Sequence, residues 1–441
     1  MAASDRLAWL APVVLMVLYV SLVSGPFVAF AAPQSRSRDS AADLEPCTAS
    51  NCKLPTCFCS GTTPPGGLAP ANSPQIVMLT FDDNVNTQVY DFQKQILSGQ
   101  YKNPNGCPMT ATFFVCHEYT DYYTVEYLYT QRNEIADHTI THRTPTTWWA
   151  NATVDEWRGE IAGMKTILEM FANIPAANIT GFRAPYLQAG GDRQFSVLKE
   201  QSFVYDSTMP TCKYVDPPMY PYTLDYARTE ECMIPPCPTQ SYPGMWEVPL
   251  VGLESDRTGQ CYSMVDAFTP TSVDDAYQFL RANFDRHYKS NRAPYGIFMH
   301  AAWFLQHPNE AFPAVEKLIG ELAAMDDVWL VSVAQMLDWM RSPQALTSVK
   351  DFASFQCTAP VMPPVCAESA AYNCHFTDMN GDGGDGAGGG GEGGALCAEY
   401  TGERRPLQAL PSLCKTDMEH YMRTCSPCPA HYPWYGNPTG K

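Results

Sequence analysis

Short apolar runs alternate with amphipathic helical patterns between residues 75 and 341. The runs are rich in β-branched and aromatic residues and end at polar or turn-forming positions, which is typical of buried strands. The helical pattern is clearest over Thr153–Phe171, which has Asp155 and Glu156 in its first turn. This alternation predicts an α/β fold, either a parallel-strand barrel or an open parallel sheet. The predicted strands are Gln75–Phe81, Ala111–Val115, Glu134–His138, Gly181–Tyr186, Phe203–Asp206, Trp246–Leu250, Tyr295–His300 and Val328–Val333.

Three cysteine-rich segments depart from the alternation. Residues 32–74 are predicted to be an irregular N-terminal arm before the α/β domain of residues 75–345. Residues 209–271 are rich in Pro and Tyr and predict a long loop pinned by disulfides, of the kind that shapes a substrate cleft. Residues 346–441 form a C-terminal extension with a Gly-rich loop.

The N-terminus and the cysteine content predict a secreted, extracellular protein. Residues 1–31 are typical of a signal peptide cleaved after Ala31, and an uncleaved anchor is the alternative. No second apolar span follows, so we expect no membrane span after cleavage. The 17 cysteines imply disulfides, and their odd number leaves one free or paired between chains. The sequons at Asn151 and Asn178 agree with a secretory route.

Composition limits the function further. A hydrophobic content of 45% with 12% aromatic residues can support a substantial core. The formal net charge of −18 argues against a nucleic-acid partner, because such partners select basic surfaces.

Carboxylates and imidazoles follow two of the predicted strands directly. Asp82 and Asp83 stand at a buried strand end, which is costly unless a metal ion or a catalytic role compensates them. The plainer alternative is a helix N-cap. His138 and His142 follow another strand, and at a spacing of one helical turn both rings can face one metal. One carboxylate and two imidazoles predict a catalytic metal site with a position open for water.

Arg183 and His300 stand at two further strand ends. Arg183 can pair with a carboxylate and hold it ionised, and a surface arginine is the alternative. His300 can donate a proton to a leaving group.

In their order along the chain these motifs resemble those of the polysaccharide deacetylases, the NodB-homology group also called carbohydrate esterase family 4. The whole chain is similar to the secreted arthropod-type chitin deacetylases. The resemblance implies a distorted (β/α) barrel of the NodB type, with disulfide-rich N- and C-terminal extensions. It rests on Thr80-Phe81-Asp82-Asp83, His138-x-x-x-His142, Arg183-x-Pro185-Tyr186, Asp206, Phe298-x-His300, Cys57-Phe58-Cys59 and Tyr432-Pro433-Trp434.

The same resemblance implies a role for each site residue. Zn²⁺, or another divalent metal such as Co²⁺, would be held by Asp83, His138 and His142. Asp82 would be the general base, and Arg183 would orient it. His300 would be the general acid, and the backbone N–H of Tyr186 would donate to the oxyanion. Phe298 and Trp303 would line the pocket for the acetyl group. Asp206 is also a candidate substrate-site residue, and the resemblance assigns it no definite role.

One part of the family pattern has no match in the sequence. Many relatives have a second Asp three residues beyond the position of Asp206, and that carboxylate tunes the acid histidine. Here Asp206 is followed by Ser207-Thr208-Met209. The partner of His300 is therefore not predicted.

The implied activity is metal-dependent removal of acetyl groups from the N-acetylglucosamine units of chitin or chito-oligosaccharides, giving chitosan and acetate. Two alternatives remain open. The chain could be a non-enzymatic matrix protein that binds and organises chitin, which its Cys-rich flanks and aromatics such as Trp148 and Trp149 favour. It could also be an esterase or deacetylase acting on another acetylated glycan. A pseudo-enzyme is expected to have lost Asp82 or a metal ligand, and this chain retains them.

Overall fold

The computed structural model describes residues 44–358, 360–376 and 419–441. The predicted signal peptide and the Gly-rich loop lie outside these ranges. Among the residues that are described, no helix has the length and apolar character needed to cross a bilayer.

Helices and short strands alternate along the chain, as the sequence pattern predicts. The helices are α1 (Thr87–Ile96), α2 (Tyr122–Thr130), α3 (Thr146–Asn151), α4 (Val154–Phe171), α5 (Asp192–Glu200), α6 (Val273–Lys289), α7 (Ala302–Gln306), α8 (Ala311–Ala323) and α9 (Val333–Arg341). The strands are β1 (Gln75–Asp83), β2 (Thr112–Val115), β3 (Glu134–Asp137), β4 (Gly181–Phe182), β5 (Tyr205–Asp206), β6 (Pro210–Thr211), β7 (Tyr222–Leu224), β8 (Tyr242–Glu247), β9 (Leu250–Val251), β10 (Leu253–Ser255), β11 (Gln260–Tyr262), β12 (Tyr295–His300), β13 (Val328–Leu330), β14 (Tyr372–Phe376) and β15 (His420–Thr424).

The main sheet is parallel and is built around β1. Its strands lie in the order β12-β1-β2-β3-β4-β5-β8-β7, and β13 also pairs with β1. Every pair is parallel except β7 with β8. This confirms the predicted α/β fold. In the described part of the chain, the end strands β12 and β7 are not hydrogen-bonded to each other, so the sheet does not close into a complete barrel.

Burial explains why these segments become strands and helices. Eight of the nine residues of β1 are buried, which fits a central parallel strand covered on both faces. Helix α4 begins at a capping box. The Thr153 side chain accepts from the Glu156 backbone N–H, and the Glu156 side chain accepts from the Thr153 backbone N–H. Its inner face buries Trp157, Ile161 and Met164 against the sheet. Helix α4 and the main sheet therefore pack around a common hydrophobic cluster.

The segment 209–271 is more ordered than the sequence predicts. It contains the six short strands β6 to β11, of which β7 and β8 join the main sheet. The predicted strand Trp246–Leu250 overlaps the end of β8 and the start of β9. The other four strands are only two or three residues long, too short to give a pattern among the Pro and Tyr residues. The disulfides Cys212–Cys261 and Cys232–Cys237 pin the segment, as predicted.

A disulfide ties the C-terminal extension to the α/β domain, and two more close loops within the N-terminal arm. The described residues hold seven disulfides, and the one joining Cys107 to Cys357 spans 250 residues of chain. In the described residues Cys116 is the free thiol, and it is buried. The C-terminal hairpin β14–β15 lies against α2, where Arg423 bonds Asp121. The other six disulfides are Cys47–Cys59, Cys52–Cys57, Cys212–Cys261, Cys232–Cys237, Cys366–Cys425 and Cys374–Cys428.

Candidate active site

Two adjacent carboxylates end the central strand β1 and face different partners. Asp82 is 5% exposed, and its Oδ1 lies 2.6 Å from Nη1 of Arg183. Burial raises the pKa of Asp82, while the Arg183 charge acts in the opposite direction. Asp83 turns away because its backbone adopts φ +78°, a left-handed conformation that is uncommon for a residue with a side chain.

Arg183 is fully buried and is fixed at every nitrogen of its guanidinium. Its Nε donates to the Ser207 carbonyl at 2.7 Å, and its Nη2 donates to the Ser207 hydroxyl at 2.8 Å. Its guanidinium lies over the ring of Phe114 at 4.0 Å and that of Phe298 at 4.9 Å. The arginine is therefore a rigid partner that presents one N–H group to Asp82.

The two histidines of the second motif converge on Asp83. Nε2 of His138 lies 3.6 Å from Asp83 Oδ1, and Nε2 of His142 lies 3.4 Å from the same oxygen. Nδ1 of His138 donates to the Arg183 carbonyl at 2.7 Å, so its Nε2 presents a lone pair to the site. Burial and the neighbouring His142 lower the pKa of His138 to about 3, which keeps the ring neutral.

These three residues fit a divalent metal ion. Their ligand atoms lie within 4.8 Å of one another, and Asp83 Oδ1 is buried without a hydrogen-bond partner among the described residues. A buried carboxylate oxygen in that state, facing two imidazole lone pairs, is what a zinc-type ligand set requires. The predicted conformation is wrong, however. Residues 138–142 form no helix but a loop, with Thr139 at φ +73° and His142 at φ +42°.

His300 stands beside the carboxylate pair, on the next strand. The register of β1 with β12 sets Asp82 opposite His300, and His300 Nε2 lies 3.8 Å from Asp83 Oδ2. Its Nδ1 lies 2.7 Å from Oδ2 of Asp266. Burial alone would lower the pKa of His300, but Asp83, Asp266 and Asp82 outweigh it and raise the pKa to about 10.

Asp266 is the site residue that sequence reasoning missed. It lies in the short 3-10 turn Val265–Ala267, at the end of the disulfide-pinned segment. The family pattern directs attention to positions just after Asp206, and the carboxylate instead comes from a loop next to β12. An acidic residue close to the end of that segment was the available signal, and it was too weak to single out Asp266.

Tyr186 lies at the mouth of the site. Its side chain is 41% exposed, and its ring lies 4.6 Å from that of His142. The Tyr186 hydroxyl donates to the His142 carbonyl at 3.2 Å. Its backbone is also left-handed, at φ +57°. Non-glycine residues in this conformation cluster at functional sites.

Three other predicted site residues lie in the interior instead. Phe298 is 3% exposed and packs on Arg183, and Trp303 is 1% exposed and donates to the Phe268 carbonyl at 3.1 Å. Their burial gives no support to the prediction that they line the acetyl pocket. Asp206 is buried and accepts from Gln194 and Thr208 at 2.9 and 2.8 Å. Asp206 thereby holds the segment around Ser207, the residue that accepts from Arg183. Asp206 itself does not lie at the cleft.

The chain is similar to several known proteins. The family described as polysaccharide deacetylase matches residues 69–201. The chain is 36% identical over 400 residues to chitin deacetylase 8 of Bombyx mori, covering 90% of this chain and 93% of that protein. It is 37% identical over 408 residues to chitin deacetylase 1 of the same organism, covering 90% and 68%. A solved polysaccharide deacetylase structure from Mycobacterium smegmatis matches with a TM-score of 0.41 and 20% identity, covering 64% of this chain and 94% of that one.

The family match and the two relatives support an enzyme of the deacetylase class. The identity and coverage of the two Bombyx mori proteins go further: the chain belongs to the polysaccharide deacetylase family.

Proposed function

We propose that this protein hydrolyses the N-acetyl groups of chitin or chito-oligosaccharides, giving chitosan and acetate. The observation that carries the proposal is the register of β1 with β12 and β2, and of β2 with β3. It brings Asp82, Asp83 and His300 to one edge of the sheet, beside the loop that begins at His138, and this supports a base, a metal site and an acid within one cleft. The two Bombyx mori relatives are both named as chitin deacetylases, which supports chitin as the substrate.

Amide hydrolysis needs an activated water, stabilisation of the oxyanion and protonation of the leaving nitrogen. A divalent cation, Zn²⁺ in our proposal, would be held by Asp83, His138 and His142, where it would lower the pKa of water and polarise the acetyl carbonyl. Asp82 accepts the proton of the attacking water. It can do so because Arg183 favours its ionised form. The backbone N–H of Tyr186 donates to the oxyanion.

His300 donates the proton that the departing amine requires. Its raised pKa keeps the imidazole protonated near neutral pH, and the bond from Nδ1 to Asp266 leaves the Nε2 proton facing the cleft. Asp266 orients the ring and stabilises its positive charge. The general acid and the general base therefore come from paired residues on neighbouring strands.

Secretion is part of the proposal. Seven disulfides among the described residues favour folding in an oxidising compartment, and the signal-like N-terminus supports the same route. The group Cys47, Cys52 and Cys57 gives a second cluster of possible metal ligands, but all three sulfurs are engaged in disulfides.

The test is acetate release from N-acetylglucosamine oligomers by the secreted protein, with zinc supplied and after chelation. We expect release by the wild type and its loss on chelation and in Asp82→Asn. The matched control is Asp192→Asn, which changes a carboxylate that bonds Thr239 on the far side of α5 and should leave the rate near that of the wild type.

Acetylated xylan is the second substrate, and binding to insoluble chitin is measured in parallel. Acetate from xylan but not from the chitin oligomers would replace chitin with another glycan. Chitin binding by a folded, zinc-loaded protein that releases no acetate would refute the enzymatic proposal in favour of a matrix-organising role.

A further inference from the structure

A buried carboxylate on α4 faces the loop that carries both predicted metal-binding histidines. Glu160 has no exposed surface. Its Oε2 accepts from the backbone N–H groups of Ile140 and Thr141 at 3.0 and 2.9 Å. Its Oε1 accepts from the Thr141 hydroxyl at 2.6 Å and from Nη2 of Arg143 at 3.1 Å. Every one of these four donors belongs to residues 140–143, between or next to His138 and His142.

The loop needs an external support because its backbone is strained. Thr139 and His142 both adopt left-handed φ values, and neither is glycine. Such a backbone conformation is unfavourable for a residue with a side chain, and it persists only where the surroundings determine it. An ionised carboxylate is suited to this task, because it accepts at both oxygens and four donors surround it.

Gly163 allows α4 to approach the loop closely, and Gly159 makes room on the same helix for the ring of Tyr435. A Cβ atom at Gly163 would lie 2.5 Å from Cδ1 of Ile140, and one at Gly159 would lie 2.5 Å from the ring of Tyr435. Glu160 lies between these glycines. The helix surface at this point is therefore shaped to receive the loop and to deliver the Glu160 carboxylate to its backbone.

The charge of Glu160 has a shielded partner. Arg143 immediately follows His142, and its guanidinium lies over the ring of Trp148 at 4.4 Å and that of Tyr435 at 5.0 Å. These rings reduce the access of water to the pair between Arg143 and Glu160. The pair thus anchors the end of the loop as well as its middle.

We propose that Glu160 is a positioning residue for the metal site: it holds residues 140–143 in the strained conformation that turns His142 towards Asp83. Residues in this position orient the ligands without touching the metal. The inference rests on the proposed function only in taking His138 and His142 as metal ligands. It adds a residue that none of the sequence motifs contains.

The test is metal binding by the full-length protein, with Glu160→Gln, Glu160→Asp and Glu160→Ala beside the wild type. Zn²⁺ affinity is measured by titration calorimetry, and the geometry of the site is read from the visible absorption of bound Co²⁺. We expect Glu160→Ala to weaken Zn²⁺ binding by on the order of tenfold to a hundredfold and to alter the Co²⁺ spectrum. Glu160→Gln should lie between it and the wild type, because an amide oxygen can still accept from the two backbone N–H groups.

The matched control is Glu134→Gln. Glu134 is the first residue of β3, the strand that ends immediately before His138. Glu134 is held in a similar way, by the Thr112 hydroxyl, the Tyr205 hydroxyl and the Ala334 N–H. It does not contact the 138–142 loop in these bonds. Glu134→Gln should lower the midpoint of thermal unfolding without changing Zn²⁺ affinity or the Co²⁺ spectrum.

Two results would overturn the inference. One is wild-type Zn²⁺ affinity and an unchanged Co²⁺ spectrum in folded Glu160→Ala, or in Glu160→Gln and Glu160→Asp if the alanine variant does not fold. The other is an equal loss of affinity in Glu134→Gln, which would show a general effect of stability. Normal metal binding by a wild type that releases no acetate would instead count against the proposed function and leave this inference standing.

Discussion

Replacing Arg183 with methionine removes the counter-charge of the proposed base and keeps much of the side-chain volume. The guanidinium lies 2.6 Å from Asp82 Oδ1 and has no exposed surface. Breaking a buried ion pair by removing one partner costs about 3–5 kcal/mol, because the other charge is left uncompensated. The Ser207 carbonyl and hydroxyl also lose their donor. We expect the free energy of unfolding at pH 7.5 to fall by about that amount.

The loss should depend on pH. Burial already raises the pKa of Asp82, and removing Arg183 takes away the strongest opposing contribution, so the pKa in the folded state rises further. A carboxyl group with a higher pKa in the folded than in the unfolded chain favours folding most at low pH and loses that contribution as the pH rises. The gap in stability between wild type and Arg183→Met should therefore narrow from pH 7.5 to pH 4.5, measured by urea unfolding at both.

Two further variants make this reasoning refutable. Asp82→Asn combined with Arg183→Met should regain part of the loss, because the buried charge is then absent. Arg281→Met removes a partly exposed arginine that pairs with Asp285 at 3.0 Å, and should cost less than about 1 kcal/mol. An equal loss in Arg183→Met at both pH values, with no recovery in the double variant, would attribute the cost to packing between Phe114 and Phe298.

Three other predictions concern buried titratable groups. Asp266→Asn should lower kcat for acetate release by up to about 10²-fold with little change in KM, since His300 loses the charge that stabilises its protonated form. An unchanged kcat would contradict this role of Asp266. Glu247→Gln should be more stable than the wild type at pH 7.5 and similarly stable at pH 4.5. Burial raises the pKa of Glu247 well above its usual value, and the amide of the variant can keep the bond to Asp206. Urea unfolding that shows no gain in stability at pH 7.5 would contradict this prediction. Burial also raises the pKa of the Cys116 thiol, so a maleimide should label it only in urea, and rapid labelling of the native protein would disprove this.

The parts of the site that lie at strand ends could be predicted from the sequence. Parallel strands bring their carboxyl ends to one edge, so residues 82–83, 138 and 300 meet there whatever the details of the connections. Asp266 could not be found in this way. It reaches His300 from a turn outside the strand pattern, and the position of such a turn depends on tertiary packing.

Local geometry was the other limit. The spacing of His138 and His142 predicted that the two rings converge, and they do, but a loop that bonds Glu160 replaces the expected helical turn. Phe298 shares the face of its strand with His300, as expected for alternate residues. It nevertheless lies one layer deeper, because successive residues on that face are separated by about 6–7 Å along the strand. At that depth its ring meets Arg183 rather than the cleft.

The central position of β1 has a consequence for biosynthesis. This strand is among the first parts of the α/β domain to leave the ribosome, yet two of its three partner strands, β12 and β13, are made only after most of that domain. A nascent chain therefore carries an apolar strand with one unpaired edge for much of its synthesis, which is a recognised hazard for aggregation. Chaperone binding to the nascent chain should be strongest in this interval. Since Asp82 meets His300 only when β12 docks, hydrolytic competence is acquired at the end of folding.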